Sequence, residues 1–313
     1  TDAGINLADF NGITDQVTVD GSLYELPFRS DYWLIYYNKD VFDAAGIAYP
    51  SNDMTMEDYD ALARQLTDTT YGSQVYGCHY HTWRSAVELF GILDGKHSIL
   101  DGNYDWMIPY YDMILSEEDD GVCQTYTDLS TEGLHYSAAF SNGNVAMMNM
   151  GSWFISTLIS NLDSGEYDSS LCGNWGIASY PHPDGAEAGS TIATITGLAV
   201  TSASANKDAA FDFVNWVSGT EGAKVMASTG NFPAIMTDDV INTIAGMAGF
   251  PTDEGSKEAL NITNAYLEVP YAENVSEINS ILDTYHTSIM NREVTVEEGV
   301  ASMNEQVGKI LNQ

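Results

Sequence analysis

The sequence contains few basic residues. Ten Lys and Arg stand against 45 Asp and Glu among 313 residues, which gives a formal net charge of −35 at pH 7. A nucleic-acid-binding surface needs clustered Lys and Arg that displace counterions from phosphates, so this composition argues against nucleic acid as a partner. The same repulsion disfavours anionic membrane surfaces and polyanionic substrates. Neutral and cationic ligands remain, although the acidity could also serve solubility alone.

Cysteine and long apolar runs are scarce too. The three cysteines, Cys78, Cys123 and Cys172, are far apart, and no C-x-x-C motif occurs. An odd, sparse count argues against a disulfide framework. No apolar run approaches the roughly 20 residues of a membrane span. The chain does not open on a basic segment followed by an apolar one, so we expect an export signal to be absent or already removed.

Helix and strand patterns alternate along the chain, which is typical of an α/β protein. Two helix starts carry a capping-box pattern, Thr55 with Asp58 and Thr295 with Glu298. Ser152 is predicted to cap a third helix, directly after a short buried strand at 145–150. Apolar positions at helical spacing support these helices and one more: Tyr59, Leu62, Leu66; Ile155, Leu158, Ile159, Leu162; Ile278, Ile281, Leu282, Tyr285, Ile289; and Val300, Met303, Val307, Ile310.

The segment L-P-F-R-S-D-Y-W-L-I-Y-Y-N-K-D (26–40) combines many aromatic residues with charges of both signs. It has too many aromatics for a surface loop and too many charges for an ordinary core strand. We predict a strand over 32–37 that lines a binding cleft. The alternation of a strand places Arg29, Asp31 and Trp33 on one face, with Ser30 and Tyr32 on the other.

Several motifs resemble the extracellular solute-binding proteins of ABC sugar importers, the maltose-binding-like family. They occur in the family's order over nearly the whole chain. The motifs are G-S-L-Y-E-L-P-F (21–28), D-Y-W-L-I-Y-Y-N-K-D (31–40), M-T-M-E-D-Y (54–59), F-S-N-G-N-V-A-M (140–147), M-G-S-W (150–153), S-A-S-A-N-K-D-A-A-F-D-F-V (202–214), T-E-G-A-K (220–224) and T-G-N-F-P-A (229–234).

The resemblance implies a two-lobe periplasmic-binding-protein-like α/β fold with a hinge. The first lobe would take residues 1–40 and 186–238, and the second 41–185 and 239–313, with crossings near 34–42, 180–190 and 233–242. Family members begin well upstream of this sequence's first residues, so we expect the first lobe to be incomplete.

The resemblance also implies a function. The protein would capture a mono- or oligosaccharide outside the cell and deliver it to membrane permease subunits. It would act as a monomer, without cofactor or metal, as a cell-surface lipoprotein or in the periplasm, and would meet the membrane only through a lipid anchor or the permease.

A sugar presents apolar C–H faces, which aromatic rings cover, and hydroxyls, which charged side chains bind most strongly. By the resemblance, Asp31 is the family's cleft carboxylate and Trp153 its stacking aromatic. The residues predicted to bind the ligand are Arg29, Asp31, Tyr32, Trp33, His79, Tyr80, His81, Trp83, His135, Tyr136, Trp153, Thr196 and Asn231, and Thr194 is a weaker candidate.

Other interpretations of these residues stay open. Arg29 and Asp31 could form a local ion pair, and Trp153 could belong to the core. In Cys78-His-Tyr-His-Thr-Trp-Arg84, Thr82 could cap a helix while Trp83 packs inward. A metal site at Cys78, His79 and His81 is disfavoured, because H-x-H lacks further ligands at a recognisable spacing.

An enzyme is the rival function of a different class. A glycoside hydrolase needs two carboxylates at a defined separation, and no motif identifies such a pair. The motifs G-x-S-x-G, Walker A, H-E-x-x-H and G-x-G-x-x-G are absent. We therefore predict a binding protein. The alternatives are a secreted carbohydrate-active enzyme and a binding protein for polyamines or peptides.

Overall fold

The aromatic segment forms one long strand, β1, that lies in the middle of the sheet. The computed structural model describes residues 5–10, 12–70 and 72–312. The strands of this part are β1 (Leu26–Asn38), β2 (Tyr76–His79), β3 (Val145–Gly151), β4 (Trp175–Ser179), β5 (Ser190–Leu198) and β6 (Asn264–Leu267). The predicted strand at 32–37 is therefore correct but too short.

Strand β1 changes partners half-way along its length. Its first half pairs with β5 in antiparallel register, up to Tyr32 opposite Ala193. From Trp33 onward it pairs with β3 on one edge and β4 on the other, both antiparallel. Strand β2 adds to β3 and β6 adds to β5, each in parallel. One continuous strand thus joins two halves of the sheet, and Trp33 lies where the halves meet.

Helices surround the sheet. They are α1 (Ile13–Gln16), α2 (Lys39–Ala45), α3 (Met56–Leu66), α4 (Ser85–Ile92), α5 (Ile108–Asp119), α6 (Tyr126–Glu132), α7 (Tyr136–Ser141), α8 (Trp153–Ser164), α9 (Ser169–Cys172), α10 (Lys207–Ser218), α11 (Thr220–Ala227), α12 (Asp238–Ala245), α13 (Glu254–Glu258), α14 (Val275–Met290) and α15 (Val296–Leu311). Short 3₁₀ helices lie at Leu7–Phe10 and Asp105–Met107. None of the helices in the described part of the chain is long and apolar enough to cross a membrane.

Both predicted capping boxes are confirmed. In α3 the Thr55 hydroxyl accepts from the Asp58 N–H and the Asp58 carboxylate accepts from the Thr55 N–H. Thr295 and Glu298 make the same reciprocal pair at α15. These caps satisfy N–H groups that a helix start otherwise leaves unpaired, which is why the pattern could be recognised without tertiary information.

The prediction that Ser152 caps α8 is wrong. Ser152 stands at the N-cap position but its side chain makes no capping hydrogen bond. Instead its Oγ donates to the Asp31 carboxylate at 3.0 Å and accepts from the Tyr32 backbone N–H at 3.2 Å. The residue just before α8 is therefore bonded to β1, 120 positions earlier in the chain.

The division into two lobes stays a prediction, and so does the expectation that the first lobe is incomplete. The outer limits of that division, residues 1 and 313, lie outside the described residues. Between Tyr32 and Trp33, β1 leaves one half of the sheet and enters the other. This position is therefore relevant to the predicted boundary between the lobes.

Candidate ligand-binding site

Three tryptophans, Trp33, Trp83 and Trp153, line a cavity of about 390 Å³. We call this space the indole cavity. Its wall also contains charged and polar side chains from α4, β5, α14 and the segment that follows β6. The cavity's polar lining includes Thr82, Arg84, Glu88, Thr194, Glu268, Asn279, Asp283, His286 and Thr287.

The three indole rings contact one another. Trp33 meets Trp153 edge to face with ring centroids 5.5 Å apart, and it meets Trp83 in the same way at 6.4 Å. The centroids of Trp83 and Trp153 are 6.2 Å apart. Trp33 is buried, yet its Nε1 has no hydrogen-bond partner among the residues that the structure describes. A buried indole N–H usually finds a partner, so this donor is an exception.

Trp153 owes its position to the turn between β3 and α8. A Cβ added at Gly151 would lie 2.0 Å from Cζ3 of Trp153, so the ring lies directly over the glycine backbone. The Trp153 Nε1 donates to the Tyr136 hydroxyl at 3.1 Å. The orientation of the indole is thus set at both of its ends.

A group of rings supports Trp83, the exposed member of the indole cavity. The His81 ring centroid is 4.6 Å from that of Trp83 and 5.4 Å from that of Tyr136. His135 lies against Tyr136 at 4.0 Å. Burial, and to a smaller extent the neighbouring His135, lowers the pKa of His81 to about 4. His81 is therefore neutral near pH 7.

Asp31 and Arg29 form the ion pair that was one of the alternatives at sequence level. Arg29 Nε lies 2.6 Å from one carboxylate oxygen of Asp31, and Nη2 donates to the other at 3.1 Å. Burial raises the pKa of Asp31, while the hydrogen bonds from Arg29 and Ser152 act in the opposite direction. Through Ser152, the pair is connected to the start of α8, where Trp153 follows.

Arg84 is the main charged residue of the indole cavity and was not predicted. Its guanidinium pairs with Glu88 at 2.8 Å and with Asp283 at 3.1 Å, and it also donates to Asn279. The side chains of Arg84 and Glu88 are 5% and 1% exposed. Burial raises the pKa of Glu88 to about 7, against the lowering effect of Arg84.

Two more polar groups complete the wall. Glu268 accepts from the Thr194 hydroxyl at 2.8 Å. Burial lowers the pKa of His286 to about 3, so this ring is neutral near pH 7. His286 Nδ1 lies 3.0 Å from the Tyr111 hydroxyl. The ring also lies beside the Thr82 backbone, although its buried Nε2 makes no hydrogen bond of normal geometry within the described ranges.

The residues missed at sequence level left a signal on α14. Asn279, Asp283 and His286 are spaced i, i+4 and i+7, which places them on one helical face. The helix was predicted from its apolar stripe alone, of which Ile278, Leu282 and Ile289 are buried. Arg84 lay at the end of the quoted segment 78–84, but its partners are almost 200 residues away.

Other predicted residues lie elsewhere. Tyr32 packs edge to face on Phe232 and lines a separate cavity of about 380 Å³. Tyr80 is buried among aromatic rings and His79 is fully buried. Thr196 is exposed on β5, opposite Arg29. The Asn231 amide donates within its own loop to Thr229 at 3.0 Å.

The alternative in which Thr82 caps a helix is wrong. Helix α4 begins at Ser85, its N-cap position is Arg84, and no side chain caps it. Trp83 is 39% exposed and lies at the cavity, not inward. Thr82, Trp83 and Arg84 are therefore consecutive lining residues.

The arrangement suits a ligand with both apolar faces and hydrogen-bonding groups. Indole rings offer flat apolar surface, and the carboxylates, guanidinium, amide and hydroxyls offer donors and acceptors. The ionisable groups of the wall are the Arg84 guanidinium, the His286 imidazole, which is neutral near pH 7, and the three carboxyls of Glu88, Glu268 and Asp283. This excess of acid disfavours anionic ligands.

A family model described as "bacterial extracellular solute-binding protein" matches residues 2–224. The chain belongs to this family. A sugar transporter from Rhizobium etli, solved in an open conformation, is 48% identical and superposes with a TM-score of 0.91 over 98% of this chain and 77% of its own. An ABC substrate-binding protein from Listeria monocytogenes, in complex with cycloalternan, is 22% identical with a TM-score of 0.82, covering 100% of this chain and 78% of that one.

Among curated proteins, a mannitol-binding protein from Pseudomonas aeruginosa is 24% identical over 223 residues, which are 69% of this chain. The match spans 49% of that protein's length. The predicted fold class and the predicted family are thus confirmed. The family consists of binding proteins, as the sequence analysis expected.

Proposed function

We propose that this chain binds a neutral polyhydroxylated ligand, a mono- or oligosaccharide or a sugar alcohol, in the indole cavity. The observation that carries the proposal is the combination of three contacting indoles with polar side chains around one space of about 390 Å³. The N–H of Trp33 is buried and has no partner in the described part of the chain, and a ligand hydroxyl that reached it on closure of the lobes would satisfy it. The names of the similar proteins, a sugar transporter and a mannitol-binding protein, agree with this class.

The binding would couple to a hinge motion. In our proposal the two lobes are residues 1–40 with 186–238 and residues 41–185 with 239–313. A ligand that contacts both lobes stabilises the closed state, because it interacts more strongly with that state than with the open one. The closed protein would then deliver its ligand to an ABC permease outside the cytoplasm, as a monomer held at the surface by a lipid anchor or free in the periplasm.

The predicted residues divide into three groups in this proposal. Trp33, Trp83, Trp153 and Thr194 would contact the ligand, together with Arg84, Glu268 and Asp283, which were not predicted. His81, His135, Tyr136, Arg29 and Asp31 would hold those side chains in place. Tyr32, His79, Tyr80, Thr196 and Asn231 lie outside the indole cavity, and their ligand role stays a prediction.

Calorimetric titration with a ligand panel tests the proposal. The panel contains hexoses, mannitol, maltose, mannobiose and longer oligosaccharides, with spermidine and a short peptide as the other ligand classes. We expect saturable heat with at least one carbohydrate or sugar alcohol; a micromolar Kd corresponds to about −8 kcal/mol.

Two results would overturn the proposal. The first is binding of spermidine or peptide with no binding of any carbohydrate. The second is release of new reducing ends during incubation with an oligosaccharide, at a rate that an Asp or Glu substitution abolishes, which would make the protein an enzyme.

A further inference from the structure

Two cysteines and a glutamate lie together in the core, away from the indole cavity. Cys78 is on β2, Glu117 is on α5, and Cys123 is in the segment between α5 and α6. The two sulfurs and a carboxylate oxygen all lie within 4.8 Å of one another. All three residues are buried, with exposures of 0%, 0% and 3%.

The Glu117 carboxyl of this cluster is not satisfied, whereas the thiols of Cys78 and Cys123 contact each other. Neither carboxylate oxygen of Glu117 makes a hydrogen bond of normal geometry to any residue in the described part of the chain, although Tyr80 and Asp60 lie nearby. The hydroxyls of Tyr59 and Tyr80 are buried without a partner there too. Burial of a polar group without a hydrogen bond is unfavourable, so a group that binds these atoms would remove that cost.

The chemistry of the three donor side chains limits which ligand could bind to them. Two thiols and one carboxyl become two soft anionic ligands and one hard anionic ligand when deprotonated, a set that favours Zn²⁺ among available divalent ions. Two sulfurs on one tetrahedral zinc lie about 3.8 Å apart, so separations of up to 4.8 Å need little adjustment. We propose that Cys78, Glu117 and Cys123 bind a thiophilic divalent cation of the zinc type.

The site would be structural. It joins β2, α5 and the segment after α5, which the Cys78 N–H already contacts through the Val122 carbonyl at 3.4 Å. Strand β2 is followed closely by Thr82 and Trp83 of the indole cavity. The cation would therefore stabilise the strand from which these two residues extend. Asp60, which acts on the ionisation of Glu117, pairs with the partly exposed Arg64 at 2.8 Å. The metal proposal does not depend on the proposed sugar binding.

Metal analysis of the whole chain tests the site. The reduced protein is equilibrated with Zn²⁺, freed of loosely held metal by desalting, and analysed by mass spectrometry of the elements. We expect about one zinc ion per chain, and less than about a fifth of that in Cys123→Ser and in Glu117→Gln. Cys172→Ser is the matched control, because Cys172 is buried on α9 outside the cluster, and it should retain the metal.

A second measurement keeps the proposal falsifiable if the variants fold poorly. Wild-type protein titrated with Co²⁺ should give the intense absorption of cobalt bound by thiolates in a tetrahedral site. Absence of both zinc retention and this absorption overturns the proposal, as does equal zinc retention in Glu117→Gln and wild type. Thiol titration of the unreduced, denatured protein should find three thiols; a single thiol would mean a Cys78–Cys123 disulfide in place of the metal and would also overturn it.

Discussion

Trp33 and Trp153 meet edge to face, with ring centroids 5.5 Å apart and an interplanar angle of 83°. They come from different elements, the middle of β1 and the first turn of α8. Asp31 lies two positions before Trp33, and Ser152 lies one position before Trp153. The Ser152 hydroxyl donates a hydrogen bond of 3.0 Å to the Asp31 carboxylate. The ring contact and the hydrogen bond therefore fix the same junction from two sides.

Replacement of Trp153 by alanine should weaken ligand binding while the fold is retained. The ring lines the indole cavity and is only partly buried, so the change removes aromatic contact area more than core packing. We expect a loss of about 2 kcal/mol, or about 30-fold in Kd, by calorimetry with the tightest ligand of the panel. Trp216→Ala is the matched control, since Trp216 is 52% exposed on α10 and does not line the cavity. Unchanged affinity in Trp153→Ala would contradict a stacking role.

Replacement of Gly151 by alanine should disturb the same site without touching the ligand. The new Cβ would lie 2.0 Å from the Trp153 ring, so the indole must shift. Overpacking of this kind costs about 1–3 kcal/mol of unfolding free energy, and we expect weaker ligand binding as well, measured by chemical denaturation and calorimetry.

A matched glycine gives the control for that change. Gly308 lies inside α15, and a Cβ there meets nothing within 4 Å. Gly308→Ala should therefore stabilise the protein by about 0.5–1 kcal/mol and leave binding unaltered. If Gly151→Ala behaved like Gly308→Ala, the close packing of the Trp153 ring on the backbone would be wrong.

Features that depend on neighbours in sequence could be predicted from sequence. The capping boxes at Thr55 and Thr295 were found because the groups that satisfy each helix start lie three residues away. The strand around Trp33 was predicted from its run of aromatic and apolar residues, and Trp153 from the motif that places it at a helix start. The capping boxes depend on contacts between near neighbours in sequence, and the position of Trp153 was implied by the family resemblance.

Features that depend on residues far away in the sequence could not be predicted from sequence. Ser152 has the residue type of an N-cap, yet its hydroxyl bonds Asp31 because the tertiary fold brings a buried carboxylate to it. Arg84 reaches Asn279 and Asp283 across more than 190 positions. No spacing in the sequence identifies such a pair, so the charged part of the indole cavity became visible only in the folded chain.

The Glu88 carboxyl should make stability depend on pH in a way that a glutamine removes. Burial raises its pKa from an ordinary value of 4.5 to about 7 in the folded protein. The folded state therefore holds this proton more tightly than the unfolded state, so the contribution is present below pH 4.5 and is lost as pH rises through 7. Between pH 5 and pH 8 the unfolding free energy of wild type should fall, relative to Glu88→Gln, by on the order of 2 kcal/mol.

Urea denaturation of both proteins at several pH values measures this difference. Glu297→Gln is the control, because Glu297 is exposed in the first turn of α15 and a change there should leave the curve parallel to wild type. Other carboxyls, including Glu117, also titrate, but they are common to wild type and Glu88→Gln and cancel in the comparison. A difference that stays constant between pH 5 and pH 8 would show that Glu88 is ionised throughout this range, and therefore that its ion pair with Arg84 outweighs the burial of the carboxyl.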